Sequence, residues 1–405
     1  MGIRFRKGWM GMRKLLNPYT PGAGVPPKYL AGREDTIREA EEALFYIKNG
    51  DFYRSVVYYG LRGVGKTVLL NKIEDMADEE DIRYEHLEIS ERGSFKSSVS
   101  LHVFKLIQQM SVKAKLKKHL SRSLSVLKAF SLKYSQDGEV SLSMDSEIDS
   151  AVGISDTGNF ENDLTELFVS LGTLAKKQES GVALFIDEIQ YMKDDEFEAL
   201  IAAIHRVNQK ALPLIVFAAG LPKIAKIAGD VKSYAERLFK FVAIGSLEKN
   251  AARMALEEPA MKWGVSYTSE AIEKILQITE CYPYFLQEYG NQVWAKVSVD
   301  HRVIDATMVE DVYSNFEKSL DESFFKVRHD RATPRELDFM IAMVKCGALP
   351  CSTKALAEQM QCPVSAISPL RAQLIHKGFI YSANRGEVDF TVPQFDKYLK
   401  RIHNL

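Results

Sequence analysis

Four cysteines in 405 residues, Cys281, Cys346, Cys351 and Cys362, contain no C-x-x-C pair, so neither a zinc ribbon nor a disulfide framework is indicated. The eight histidines are scattered, which gives no second route to a metal centre of that kind. No apolar run approaches the roughly 20 residues needed to cross a bilayer, and the longest lies around Leu212 to Leu221. A soluble protein with no membrane partner is expected. Net charge is -1, so affinity for nucleic acid or lipid must come from a local patch rather than from the whole molecule. The first residues, Met1 to Trp9, are basic and aromatic but lack the continuous apolar core of a signal peptide, and Arg6 spoils a myristoylation signal. They read either as a contact for nucleic acid, lipid or another subunit, or as a solvated terminus. A reducing cytoplasm fits these absences best.

What is present begins with Gly60-Leu61-Arg62-Gly63-Val64-Gly65-Lys66-Thr67, which matches the phosphate-loop pattern G-x-x-x-x-G-K-[ST] at every fixed position. The apolar run Ser55–Tyr59 precedes it and the amphipathic stretch opening at Val68 follows it, the strand-loop-helix context such a loop needs. Glycines let successive backbone N–H groups face one anion, Lys66 adds a point charge for the β- and γ-phosphates, and the Thr67 hydroxyl suits Mg²⁺. ATP and Mg²⁺ are the expected ligands. Downstream, Val182-Ala183-Leu184-Phe185-Ile186 ends in Asp187-Glu188, a buried-strand pattern closed by two carboxylates. In a phosphate-loop hydrolase the first acid, Asp187, holds the metal and the second, Glu188, polarises the attacking water.

A chain of this length suggests two to four domains. The reading assigns 1–28 to a basic tail and Pro/Gly-rich connector, 29–246 to the nucleotide-binding core, 247–330 to a helical lid and 331–405 to a C-terminal module. Expected strands at Ser55–Tyr59, Arg83–Ile89, Val182–Ile186, Pro213–Ala218 and Phe239–Ile244 alternate with helix-length segments, beginning with a helix over Glu34–Ile47. Such alternation predicts an α/β core with a parallel sheet covered on both faces. Alternating apolar residues around Asp137-Gly138 predict a β-hairpin insertion near 126–144, either an arm that touches DNA or a neighbouring subunit, or a flap. The basic run from Lys113 to Arg122 reads as a phosphate-contacting face or a solvated one. From Leu247 to Arg328 only helical periodicity is found, which predicts an all-α lid. Beyond Thr333-Pro334, three helices followed by a two-stranded ribbon form the winged variant of the helix-turn-helix. Its third helix, Val364–His376, would present Ser368, Arg371, Gln373 and Lys377 to double-stranded DNA, with Arg385 at the wing tip.

These motifs together resemble AAA+ ATPases of the initiator (origin-recognition) or STAND-like branch, from Tyr29 to the C-terminus. The resemblance implies a P-loop NTPase sheet of order 5-1-4-3-2, with the loop and the acids on adjacent central strands. It also implies that Tyr29, Leu30 and Arg33, in Tyr29-Leu30-Ala31-Gly32-Arg33-Glu34, flank the adenine. Pro283, in Cys281-Tyr282-Pro283-Tyr284, is similar to the G-x-P proline that packs on the base, although Cys281 stands where that element has glycine. Arg237, just before the fifth strand, matches the place of an arginine finger acting between subunits, which implies a homo-oligomer in the ATP state. The fourth strand ends Ala218-Ala219-Gly220 without the polar side chain many relatives carry there. Slow hydrolysis is therefore expected. The reading is an ATP-hydrolysing, DNA-associated switch or loader; the alternative is a STAND-type signalling or defence ATPase whose winged helix makes protein contacts.

Overall fold

The computed structural model describes residues 15–91, 93–110, 117–134, 150–151, 153–224 and 235–405. These fall into two compact units, one of Glu34–Gly245 with Pro334–Leu405, the other of the chain up to Arg33 with Ser246–Thr333.

In the larger unit β1 (Ser55–Tyr59), β2 (Arg83–Glu88), β3 (Val182–Asp187), β4 (Leu214–Gly220) and β5 (Phe239–Ala243) form one parallel sheet in the order β2-β3-β4-β1-β5. Every residue of β3 and β4 is buried, which is why both read as unbroken apolar runs rather than as alternation. The order is the expected one, but it corrects one expectation: β4 lies between β1 and β3, so the phosphate loop and the acids do not leave adjacent strands. Helices cover the sheet because their apolar residues recur at helical spacing; Leu69, Leu70, Ile73, Met76 and Ala77 are the buried face of Lys66–Glu79. Across the sheet, Phe185 of β3 and Phe217 of β4 stack with centroids 5.4 Å apart.

The first arm of the expected hairpin, Leu127–Tyr134, is helical instead. Residues 126–134 are the end of an α-helix, Lys117–Tyr134, and its buried Ser123, Val126, Leu127 and Phe130 follow a helical period that outweighs the local alternation. The rest of that segment, 135–149, lies outside the described residues, as do the basic tail to residue 14 and Lys113 and Lys115. Within the same unit the C-terminal module comprises helices Pro334–Lys345, Thr353–Gln359, Val364–His376 and Phe395–His403 with three short strands. β9 (Ile380–Tyr381) and β10 (Glu387–Phe390) pair antiparallel as the ribbon required, and β8 (Cys351–Ser352) adds a third strand on the other edge of β10.

The smaller unit is helical apart from a two-residue parallel pairing of β6 (Ser266–Tyr267) with β7 (Val303–Ile304), which the periodicity did not reveal. The Pro/Gly-rich stretch after Asn17 is a docked segment rather than an extended connector. Tyr19 is 3% exposed, donates its hydroxyl to the Leu256 carbonyl at 2.6 Å and bonds the Tyr267 hydroxyl at 2.5 Å. A side chain at Gly290 would strike the Tyr19 ring within 2.8 Å, so the glycine is there to seat it. Replacing Tyr19 with Ala is expected to destabilise this unit by about 3–5 kcal/mol through the cavity left behind, and Tyr19→Phe by about 1 kcal/mol through the lost hydroxyl bonds. Urea unfolding read by tryptophan fluorescence checks both, since Trp294 lies 5.9 Å from the Tyr19 ring.

Candidate nucleotide site

The loop Gly60–Thr67 leaves the carboxyl end of β1, where ligands of open α/β sheets bind. Gly60 permits a close backbone approach, since a Cβ there would lie 1.9 Å from the Ile244 carbonyl oxygen next to β5. Gly65, at φ +91°, opens the helix Lys66–Glu79, and a Cβ placed on it would meet no atom within 4 Å. That open space, at a helix N-terminus lined by amide groups, is suited to an anion. Lys66 is half-buried and donates to the carbonyls of Gly60 at 3.1 Å and Leu61 at 2.9 Å. Burial pulls its ammonium pKa down to about 8, against the opposing pull of Glu188 and Asp187.

Thr67 Oγ1 donates to Asp187 Oδ2 at 2.6 Å, bringing together two side chains 120 positions apart. Asp187 is 5% exposed, and its other oxygen accepts the Glu188 N–H at 2.7 Å. Glu188 turns the chain at φ +53°, so its carboxylate leaves the strand direction. Arg62 Nη1 lies 3.5 Å from Glu188 Oε1, Gln190 Nε2 donates to Glu188 Oε2, and Arg62 Nη2 donates to the Tyr191 hydroxyl at 2.9 Å. Gln190 also accepts the Leu221 N–H at 2.9 Å, tying the acids to the end of β4.

Arg237 is exposed on the short helix Ala235–Leu238 and makes no ion pair among the described residues. Tyr29, Leu30, Arg33 and Pro283 belong to the smaller unit. There Cys281 adopts φ +56°, the left-handed conformation for which glycine is favoured, and Pro283 opens the helix Pro283–Trp294. In the C-terminal module Ser368, Gln373 and Arg385 are exposed. Arg371 donates to the Ser382 hydroxyl, and Lys377 pairs with the buried Glu336 at 2.8 Å, so both bases serve the module's own packing.

Residues 29–217 match the family model described as AAA ATPase domain. The fold is that of a P-loop NTPase. Residues 322–399 match a second model, a domain of unknown function, DUF8462. No curated protein matches the sequence. Among solved structures, the Walker-type ATPase PABY2304 of Pyrococcus abyssi is similar at 14% identity, with 94% of this chain and 98% of that one covered and a TM-score of 0.56. Orc1 of Aeropyrum pernix, solved in complex with DNA, is similar at 13% identity, 93% and 94% coverage and a TM-score of 0.45. RuvB of Thermotoga maritima, a Holliday junction branch migration motor, is similar at 16% identity, 91% and 95% coverage and a TM-score of 0.42. At 14% identity the likeness to the Pyrococcus abyssi protein shows the fold alone.

Gln190, Tyr191 and Lys223, which interact with Glu188 or Arg62, escaped the sequence reading. Gln190 and Tyr191 follow the acids without any motif signal, and only their position after a tight turn hinted at them. Lys223 lies just past β4; burial lowers its pKa, with Asp194 opposing and the Arg62 charge adding to the effect. Phosphate binding that needs the Lys66 ammonium should hold steady up to about pH 8 and then weaken as the lysine loses its proton, by up to tenfold per pH unit. Titration of a fluorescent ADP analogue from pH 7 to about 9.5 measures this; an affinity flat across that range contradicts the assignment.

Proposed function

We propose that the chain binds ATP with Mg²⁺, hydrolyses it slowly and uses the nucleotide as a switch. The observation that carries this reading is the 2.6 Å bond between Thr67 and Asp187, because it sets a hydroxyl and a carboxylate side by side at the mouth of the phosphate loop. Both are hard oxygen donors, the type Mg²⁺ selects, and the open space at Gly65 leaves room for phosphate. Thr67 and Asp187 would hold the ion, which when bound supplies charge neutralisation at the β- and γ-phosphate oxygens. Lys66 would exchange the Gly60 and Leu61 carbonyls for those oxygens, and backbone amides of Gly63 to Val68 would line the cradle. Glu188 would orient the attacking water and accept its proton. Ending in Ala218-Ala219-Gly220, β4 offers no side-chain donor to the γ-phosphate, which supports slow turnover. Tyr29, Leu30, Arg33 and Pro283 are assigned to the adenine. Arg237, exposed before β5, is assigned to a neighbouring subunit's γ-phosphate in an ATP-state homo-oligomer.

A second reading concerns the C-terminal module, whose helices and three-stranded ribbon fit a winged helix. From Arg331 onward the sequence carries ten Lys and Arg against six Asp and Glu, which favours contact with duplex DNA over the balance of the whole chain. Ser368, Gln373 and Arg385 are the exposed residues available for it, whereas Arg371 and Lys377 are engaged internally. The protein-contact alternative shares the same surface.

Lys66→Ala should weaken ATP and ADP binding by roughly ten- to a hundredfold, while Glu188→Gln should bind normally and lose turnover by about 10²–10⁴-fold. Equilibrium titration and phosphate release separate the two; undiminished turnover in Glu188→Gln removes it as the base. Salt-sensitive retardation of duplex DNA, weakened by Arg385→Ala with Gln373→Ala, is expected if the module contacts DNA. Absence of any shift at low salt leaves the protein-contact alternative.

A further inference from the structure

Arg62 has attachments that no phosphate-loop pattern requires. Its guanidinium faces the Glu188 carboxylate at 3.5 Å and donates to the Tyr191 hydroxyl at 2.9 Å. Its backbone N–H donates to the Thr391 carbonyl at 3.3 Å, in the C-terminal module of the same unit. Its guanidinium also lies over Gly378 of that module, where an added Cβ would come within 3.2 Å of Nη2 and 3.2 Å of Leu221 Cδ1. Thr391 is 1% exposed, and its hydroxyl reaches the carbonyls of Gly378 at 2.6 Å and Phe379 at 3.1 Å. The two points that touch Arg62 are therefore one braced element. On the other side, Glu188 has one oxygen facing Arg62 and the other bonded to Gln190. A carboxylate with one oxygen hydrogen-bonded and the other facing a guanidinium is poorly placed to take a proton from water.

We propose that Arg62 is a positioning residue through which the C-terminal module restrains the catalytic carboxylate, so that release of Arg62 raises turnover. The proposal rests on the ATPase reading above and assigns Glu188 the role given there. Any partner that lifts the module off the loop would then speed hydrolysis without touching the nucleotide.

The test compares full-length wild type with Arg62→Ala, Arg62→Lys, Gly378→Ala and Gly386→Ala, reading kcat and KM for ATP, ADP affinity and melting temperature. Gly378 and Gly386 both have positive φ, +71° and +81°, so an alanine strains the backbone at either, but only at Gly378 does it press on Arg62. Arg62→Ala should raise kcat at least threefold with KM and ADP affinity within twofold, and Arg62→Lys should return most of the way to wild type. Gly378→Ala should raise kcat and Gly386→Ala should not. A kcat that is unchanged or lower in Arg62→Ala overturns the proposal, as does an equal effect of the two glycine variants or absence of turnover in every protein. Turnover that appears only in Arg62→Ala supports it. A destabilised Gly378→Ala leaves the arginine pair decisive, since loss of structure lowers kcat rather than raising it. Failure of the ATPase reading is seen separately, as ADP affinity that does not respond to Lys66→Ala.

Discussion

The short bond between Thr67 and Asp187 organises the functional end of this molecule. It exists because a parallel sheet brings the carboxyl ends of its strands to one edge, so a loop after β1 and an acid at the end of β3 meet although 120 residues separate them. β4 stands between the two strands and ends in Ala218, Ala219 and Gly220, whose small size matters: a Cβ on Gly220 would clash with Ile189 and Gln190. The small strand end thus makes room for the turn that carries Glu188. A bulky polar residue there would compete with that turn, which gives a physical reason for the missing donor.

Electrostatics around the loop are balanced rather than biased. Lys66 and Arg62 face Asp187 and Glu188, and burial draws the lysine towards neutrality while the acids hold its charge. On the proposed function an incoming phosphate would replace one set of partners with another, the lysine leaving two carbonyls and the carboxylates gaining a cation, and coupling between nucleotide and surrounding segments would follow from that exchange. The C-terminal module joins it through a backbone carbonyl and a glycine, neither of which has a side-chain chemistry to advertise.

Much of the core was legible. Glycine, lysine and threonine at fixed spacing leave few alternatives for a phosphate loop, and fully buried strands such as Val182–Asp187 declare themselves as apolar runs. The segment over Leu127–Tyr134 misled because alternation across eight residues satisfies both a strand and one face of a helix, and only burial of Ser123, Val126, Leu127 and Phe130 decides between them. The stretch after Asn17 misled for another reason. Proline and glycine forbid regular structure but do not forbid docking, and Tyr19 is anchored by hydroxyl bonds and ring contacts with residues far along the chain.

By itself the sequence determined the five strands of the main sheet, their order along the chain and the phosphate-loop pattern, since these depend on local periodicity and on residue types at short spacing. Tertiary structure alone decided which charges are committed. Lys377 and Arg371 looked available for DNA, yet one pairs with the buried Glu336 and the other bonds Ser382, while Arg62, expected only as part of the phosphate loop, also meets Glu188, Tyr191 and Thr391. The reason is that a charged side chain's role is set by the partner folding brings within a few ångströms, and distance in the chain carries no record of that partner.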